Sequence, residues 1–178
     1  MTFKNHRRIA MVFVCSALIF FIGAANAANK KPIYRYYNPA TDDYYLTDVQ
    51  ASMPGYMYQG IAFEVYDQAE GKYSPLYRCK VAAGFGPYSG KHHIRPPGSS
   101  ASICGYPWNA GSQLLGYVHP SGTGGIKLYG AEVHPNGVPR GFWYINLSTT
   151  SQPEAQQYID ALGSVQYKAV QQLGGAAL

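Results

Sequence analysis

Ile33-Tyr34-Arg35-Tyr36-Tyr37-Asn38-Pro39, followed by Asp43-Tyr44-Tyr45-Leu46-Thr47, is the stretch that decides the fold, because its pattern is written twice more. Leu76-Tyr77-Arg78 leads into Lys91-His92-His93-Ile94-Arg95, and Leu128-Tyr129-Gly130 into Gly141-Phe142-Trp143-Tyr144-Ile145. A short apolar phrase closes each copy: Gln59-Gly60-Ile61-Ala62-Phe63, Leu115-Gly116-Tyr117-Val118 and Lys168-Ala169-Val170. The chain reads as an internal repeat with units at about 33–75, 76–127 and 128–174.

Each opening phrase alternates as a strand does, which puts Tyr34, Tyr77 and Tyr129 on one face and Arg35, Arg78 and Gly130 on the other. The three tyrosines are expected at matching, largely buried positions. Turn chemistry follows at Asn38-Pro39 and at Pro135-Asn136-Gly137. In the third unit Ser151-Gln152-Pro153-Glu154 is a capping box, predicting a short helix from Pro153 to Leu162 that Gly163 ends. No unit of this size can bury an aromatic face alone, whereas three around a common axis can. The expected architecture is therefore mainly β, a β-trefoil-like barrel of residues 33–178 with one or more short helices; the alternative is a small open β-sheet or sandwich.

The first 27 residues read as an address. Lys4, His6, Arg7 and Arg8 precede an apolar run from Ile9 to Gly23, and Ala25-Asn26-Ala27 is a small-x-small cleavage site. That is the pattern of a secretory signal peptide cut after Ala27, followed by a polar leader at 28–32. The run is shorter than the ~20 residues of a spanning helix, so the mature chain is expected to be secreted or periplasmic without a transmembrane anchor. Lys4, Arg7 and Arg8 leave with the signal peptide, so eleven Lys and Arg face nine Asp and Glu in what remains. With no basic cluster, nucleic acid is not an expected partner. Only Cys79 and Cys104 remain in the mature chain, and a disulfide is the economical reading for an exported pair.

The phrases Tyr34-Arg35-Tyr36-Tyr37-Asn38-Pro39, Tyr44-Tyr45-Leu46-Thr47 and Gln59-Gly60-Ile61-Ala62-Phe63 resemble those of an exported repeat family of uncharacterised function, DUF5648. Its repeats read Tyr-Arg-x-Tyr-Asn-Pro, then His-Phe-Tyr-Thr, a short helix and an apolar strand. The resemblance extends over nearly all of the mature chain, with Phe142-Trp143-Tyr144 in the third unit and Leu76-Tyr77-Arg78 with His92 in the second. It implies an extracellular or wall-associated module of the kind that accompanies hydrolases. The family's histidine is matched only by His92, with Tyr44 and Phe142 at the other two positions.

Tyr45, His93 and Trp143 stand at equivalent places beside the more apolar pairs Tyr44/Leu46, His92/Ile94 and Phe142/Tyr144. If those pairs face the core, the three face outward and can stack on sugar rings; otherwise they pack the interior. Arg35 and Arg78 are candidates for hydroxyl-rich or anionic ligands, or for ion pairs with Asp42, Asp43 or Glu64. His92-His93 suggests a metal, but neighbours on a strand point to opposite faces and no ligand set at a known spacing accompanies them; no metal or other cofactor is expected. Asn146-Leu147-Ser148 fits a glycosylation sequon. No nucleophile motif, metalloprotease motif or phosphate loop is present, so a catalytic role would need a polar pocket gathering His92 or His93 with Asp42 or Asp43. The expectation is a non-catalytic exported module that binds carbohydrate or a cell-envelope polymer. The alternative is a protein-binding or inhibitory β-domain acting on another exported protein through the Gly- and Pro-rich loops of the second unit.

Overall fold

The computed structural model describes residues 27–95, 102–104, 112–134, 136, 144–163, 165 and 167–177. The first three strands are β1 (Lys30–Asn38), β2 (Asp43–Thr47) and β3 (Met57–Tyr66), and the next three are β4 (Ser74–Lys80), β5 (His92–Arg95) and β6 (Gln113–Val118). The last three are β7 (Ile126–His134), β8 (Tyr144–Thr149) and β9 (Tyr167–Ala176), with helix α1 (Gln152–Ala161) between β8 and β9. All pairing is antiparallel, in a six-stranded sheet ordered β2-β1-β3-β6-β4-β5 and a three-stranded sheet ordered β8-β7-β9.

Every consecutive triplet thus has its first strand in the middle, flanked by the second and the third. The likeness reaches single residues. The register between first and third strands shifts after Ile33, after Leu76 and after Leu128, and the residues passed over are Ala62, Leu115 and Leu173. In the last triplet the closing phrase is therefore Gln172-Leu173-Gly174, further along β9 than Lys168-Ala169-Val170. A bulge of this kind bends the strand that carries it, which lets each triplet curl its apolar face around a shared centre.

That centre is one core built from all three triplets. Ile33, Leu76 and Leu128 come from the middle strands, Leu115 and Leu173 from the bulges with Ala62 against them, and Val65, Val118 and Ala176 from beyond. The buried residue of the opening phrase is thus the aliphatic one, fully enclosed in all three copies, whereas Tyr34, Tyr77 and Tyr129 are half-buried. The three tyrosines thus match in place and in burial, but they are not the innermost residues of the phrase: alternation shows which residues share a face, and Ile and Leu take the enclosed one.

The third strands meet pairwise at one end. Tyr66 of β3 bridges Tyr117 of β6, His119 after β6 exchanges two backbone hydrogen bonds with Gly175 of β9 (2.8 and 3.0 Å), and Ala177 N donates to Glu64 O of β3 at 2.9 Å. This approach is close enough that a Cβ on Gly175 would overlap the Gly124 carbonyl oxygen. The strands do not form a closed barrel, so the β-trefoil-like expectation is not confirmed and the alternative, open sheets packed on one another, fits. The β3–β6 contact joins the first two triplets into the six-stranded sheet, while the junctions with the third triplet are one or two bonds long and do not close the strands into a barrel.

Two smaller clusters extend the interior. The Cys79–Cys104 disulfide, with Cα atoms 5.7 Å apart, ties the 3-10 turn Ser102–Cys104 to β4, packed with Val81, Tyr88 and Tyr144. In the chain-entropy account such a bridge is worth about 3 kcal/mol. Helix α1 packs Ile159 against Ala131 and Leu147. Ser151 caps it as the sequence predicts, accepting from Glu154 N at 3.2 Å; the reciprocal half of the box is diverted, because Ser151 N donates to Thr149 Oγ1 instead.

Candidate functional site

The second strands β2, β5 and β8 meet at the other end of the molecule, and there side chains make the junctions. Asp43 Oδ1 accepts from His92 N (2.8 Å), His93 Nδ1 accepts from Ile145 N (3.0 Å), and Asn146 Oδ1 accepts from Tyr44 N (3.2 Å). Each strand offers one polar side chain to the backbone of the next, around a cycle. The donors Tyr44, His92 and Ile145 are themselves equivalent, since they pair with Tyr37, Lys80 and Glu132 at the same distance along the middle strands. Asp43, His93 and Asn146 are all buried, as such acceptors must be if they stand in for sheet hydrogen bonds.

The turn between β1 and β2 is the hub of this end. Asn38 Oδ1 accepts from Ala40 N (3.0 Å), an Asx-type turn, and Asp42 takes a positive φ of 49°, a conformation that Asp tolerates. The Asp42 carbonyl then receives Lys91 Nζ at 3.0 Å and Asn146 Nδ2 at 3.2 Å. Its carboxylate accepts from Tyr37 (3.2 Å) and from Tyr158 of α1 (3.3 Å).

Asp43 carries the strongest electrostatics. Its Oδ2 accepts from the Tyr56 hydroxyl at 2.5 Å and lies 2.7 Å from His92 Nδ1. Burial pushes the Asp43 carboxyl up, and the hydrogen bonds from His92 and Tyr56 outweigh it, leaving the pKa below its ordinary value. The Tyr56 hydroxyl is driven well above the ordinary tyrosine range, first by burial and then by the Asp43 carboxylate it touches. His93 is fully enclosed, and the loss of hydration holds its pKa at about 3. Its ring is neutral, and because Nδ1 accepts from Ile145 the proton sits on Nε2.

Beside Asp43 opens a cavity of about 330 Å³ between the β1–β2 turn and the 3-10 turn Gly86–Tyr88 of the second triplet. Its polar walls are Asn38, Thr41, Asp43, Ser89 and Lys91, with the Tyr56 ring and Pro87 as apolar surfaces. His92 stands behind Asp43, edge-on to Tyr45 with ring centres 4.7 Å apart. Asp43 lines the cavity but His92 does not, so the histidine–carboxylate contact lies beside the pocket and not within it. The contact joins residues 49 positions apart, a juxtaposition that no local motif announces.

The residues singled out from sequence fall elsewhere. His93 is buried in the junction just described and does not face outward. Arg78 is buried as well, its guanidinium bonded to Leu46 O and Gln113 Oε1 and lying 3.8 Å over the Tyr45 ring. Arg35 is half-buried and pairs with Glu154 of α1 at 2.8 Å. Each arginine thus braces its own triplet against another, which leaves Gly130 as the third member without a brace. Tyr45 is half-buried between Arg78, Tyr56 and His92. Trp143 lies outside the described residues; by cross-strand pairing the counterpart of Tyr45 and His93 falls at Asn146 or Leu147, where the β7–β8 register shifts. The Asn146 sequon is enclosed in the fold, with its amide committed to Tyr44, Tyr144, Tyr158 and Asp42. Among the described residues no group of three His, Cys, Asp or Glu could hold a metal ion, and no helix is long and apolar enough to cross a membrane.

No curated protein and no solved structure matches the chain. Residues 18–93 match the family described as a domain of unknown function, DUF5648. The matched stretch covers the first triplet and the second as far as His93, including the Asp43–His92 contact and the polar walls of the cavity, while the third triplet lies outside it. Through these residues, the ones that build the cavity, the chain is DUF5648-like.

Proposed function

We propose that the protein is an exported, non-catalytic module that binds carbohydrate or a cell-envelope polymer, and that the ligand sits in the cavity between the β1–β2 turn and Gly86–Lys91. The observation that carries this reading is the composition of the cavity wall. An amide, two hydroxyls, a carboxylate and an ammonium surround a tyrosine ring in about 330 Å³, which suits the hydroxyls and apolar face of one sugar unit. This relocates the site from the strand faces of Tyr45, His93 and Trp143 to a junction between triplets.

Asp43 is a holding group in this reading. Three of its lone-pair directions already receive Tyr56 OH, His92 N and His92 Nδ1, leaving about one for a ligand hydroxyl. A carboxylate so committed, with its pKa lowered, is a poor proton shuttle.

The test is titration of the exported protein with soluble fragments of envelope polymers, chosen from a glycan array, by calorimetry. Thr41 is exposed at the cavity rim, so Thr41→Trp should fill the pocket and weaken binding at least tenfold with unchanged thermal unfolding. Binding that survives Thr41→Trp but is lost in Trp143→Ala would return the site to the strand face. A protein that binds none of the polymers would remove the carbohydrate reading altogether.

A further inference from the structure

The segment that precedes β1 is held by two acidic residues that follow β3. Ala28 N donates to Glu70 Oε1 at 2.7 Å, while Glu70 Oε2 lies 3.3 Å from Lys72 Nζ. Asn29 is clamped by Asp67 three times over: Asn29 N to Oδ1 (2.9 Å), Asn29 Nδ2 to Oδ2 (3.3 Å), and Asp67 N to Asn29 O (2.9 Å). Ala27, one residue earlier, is exposed, and Ala28 is half-buried. The sequence motif Ala25-Asn26-Ala27 ends at the same bond where the clamp begins, although one is read from residue size and the other from hydrogen bonds.

We infer that hydrolysis of the Ala27–Ala28 peptide bond generates the working N-terminus and that Glu70 is the receptor for the α-ammonium it releases. The reaction needs water and an envelope peptidase that accepts small residues on the acyl side of the bond, here Ala25 and Ala27. The Ala27 C–Ala28 N bond breaks, water supplies a hydroxyl to the Ala27 carbonyl and a hydrogen to the Ala28 nitrogen, and the proton of the new acid passes to the amine. What was one neutral N–H donated to a carboxylate becomes an ammonium–carboxylate pair in which both partners are charged. Before cleavage Ala28 N has one hydrogen to donate; afterwards it has three, and Glu70 lies against it. Glu70 is prepared for this role: the bond from Ala28 N is the main reason its carboxyl stays below the ordinary range, with the Lys72 contact second. The clamp sits where β1 begins, since Lys30 pairs with Tyr66 at the end of β3, so capture of the terminus anchors the first middle strand. The inference rests on residues 1–27 being an export leader and is independent of what the cavity binds.

The full 178-residue chain is expressed in a host that exports it, and the exported protein is examined by intact mass and by acetylation of its α-amine at pH 7. The expected mass is that of a chain beginning at Ala28; a start at any other residue, or retention of the leader, overturns the assignment. Glu70→Gln, produced the same way, should acetylate at least about threefold faster, the change that half a pKa unit produces. Lys72→Ala should acetylate no faster than the parent, because it leaves Glu70 free for the terminus. Equal rates in parent and Glu70→Gln, or acceleration of the same size in Lys72→Ala, would show that Glu70 does not hold the ammonium.

Discussion

The two ends of the molecule solve one problem in different ways. Where the third strands meet, backbone joins backbone through Tyr66/Tyr117, His119/Gly175 and Ala177/Glu64. Where the second strands meet, Asp43, His93 and Asn146 each reach a neighbour's N–H. A backbone junction asks only that the chains come close, so its demand on sequence is for small residues. A side-chain junction asks for an acceptor of the right reach, and three different residue types meet it here. The second solution leaves ionisable groups in the interior, and the cavity opens beside one of them. Chemistry has accumulated at the end whose closure depends on side chains.

Breaking the backbone end should have the largest effect. Gly175→Val would drive a side chain into the Gly124 carbonyl, with the Gly125 backbone close behind, and neither can swing aside. We expect a loss of about 3 kcal/mol in urea unfolding, the upper part of the range for overpacking. At the other end, Asp43→Ala strands His92 N and the Tyr56 hydroxyl, and should lose about 2–3 kcal/mol, whereas Asp43→Asn keeps an acceptor oxygen and should lose less. If Asp43→Ala proved as stable as the parent, water would be replacing the carboxylate and the junction would not depend on it.

What could be read in advance follows the same division. The strand phrases, the capped helix and the cysteine pair were legible because each is local or forced by counting. Which face of the opening phrase turns inward was not, since Ile33 and Tyr34 are both apolar enough and only the assembled core chooses between them. The third phrase of the last triplet was misplaced because Gln171-Gln172-Leu173-Gly174 carries little apolar signal; its position comes from the bulge at Leu173. The site was hidden for a different reason. Asp43 and His92 are joined only after two triplets dock, and the neighbouring His93, chemically identical, goes to the interior because alternation sends it to the opposite face.

Acid should sharpen the contrast, since the peptide hydrogen bonds that join the backbone end do not titrate. His93 is neutral in the fold, its pKa held at about 3 against an ordinary 6.5 by burial. A base depressed in this way contributes stability that is complete above about pH 6.5 and is lost as the pH falls towards 3. Asp43, whose pKa is also lowered, adds a loss that begins below its ordinary 3.8. Stability measured by urea titration should therefore fall from pH 7 to pH 4 with a slope of at most about 1.4 kcal/mol per pH unit from His93. His93→Gln keeps an acceptor for Ile145 N and removes the titration, so its profile between pH 6.5 and pH 4 should be flatter than the parent's, even if it starts lower. An unchanged slope would mean that His93 opens to solvent before it protonates.

The smallest expected effect tests whether α1 belongs to the polar junction or only leans on it. The Tyr158 hydroxyl receives Asn146 Nδ2 and donates to the Asp42 carboxylate at 3.3 Å, linking the helix to both the third junction and the turn that carries Asp43. Its pKa is held far above the ordinary range, by burial first, so it stays a neutral donor at any pH at which the protein is folded. Tyr158→Phe keeps the ring that sits edge-on to Tyr44 at 5.8 Å and removes only the hydroxyl. Asn146 retains Asp42 O as an acceptor, so no buried N–H is fully stranded, and the loss should be about 1 kcal/mol. Combined with Asp43→Ala in a double-mutant cycle, the two losses should add to less than their sum if the junction acts as one network. Simple additivity would place the helix outside it, and the polar end would then consist of the three strands alone.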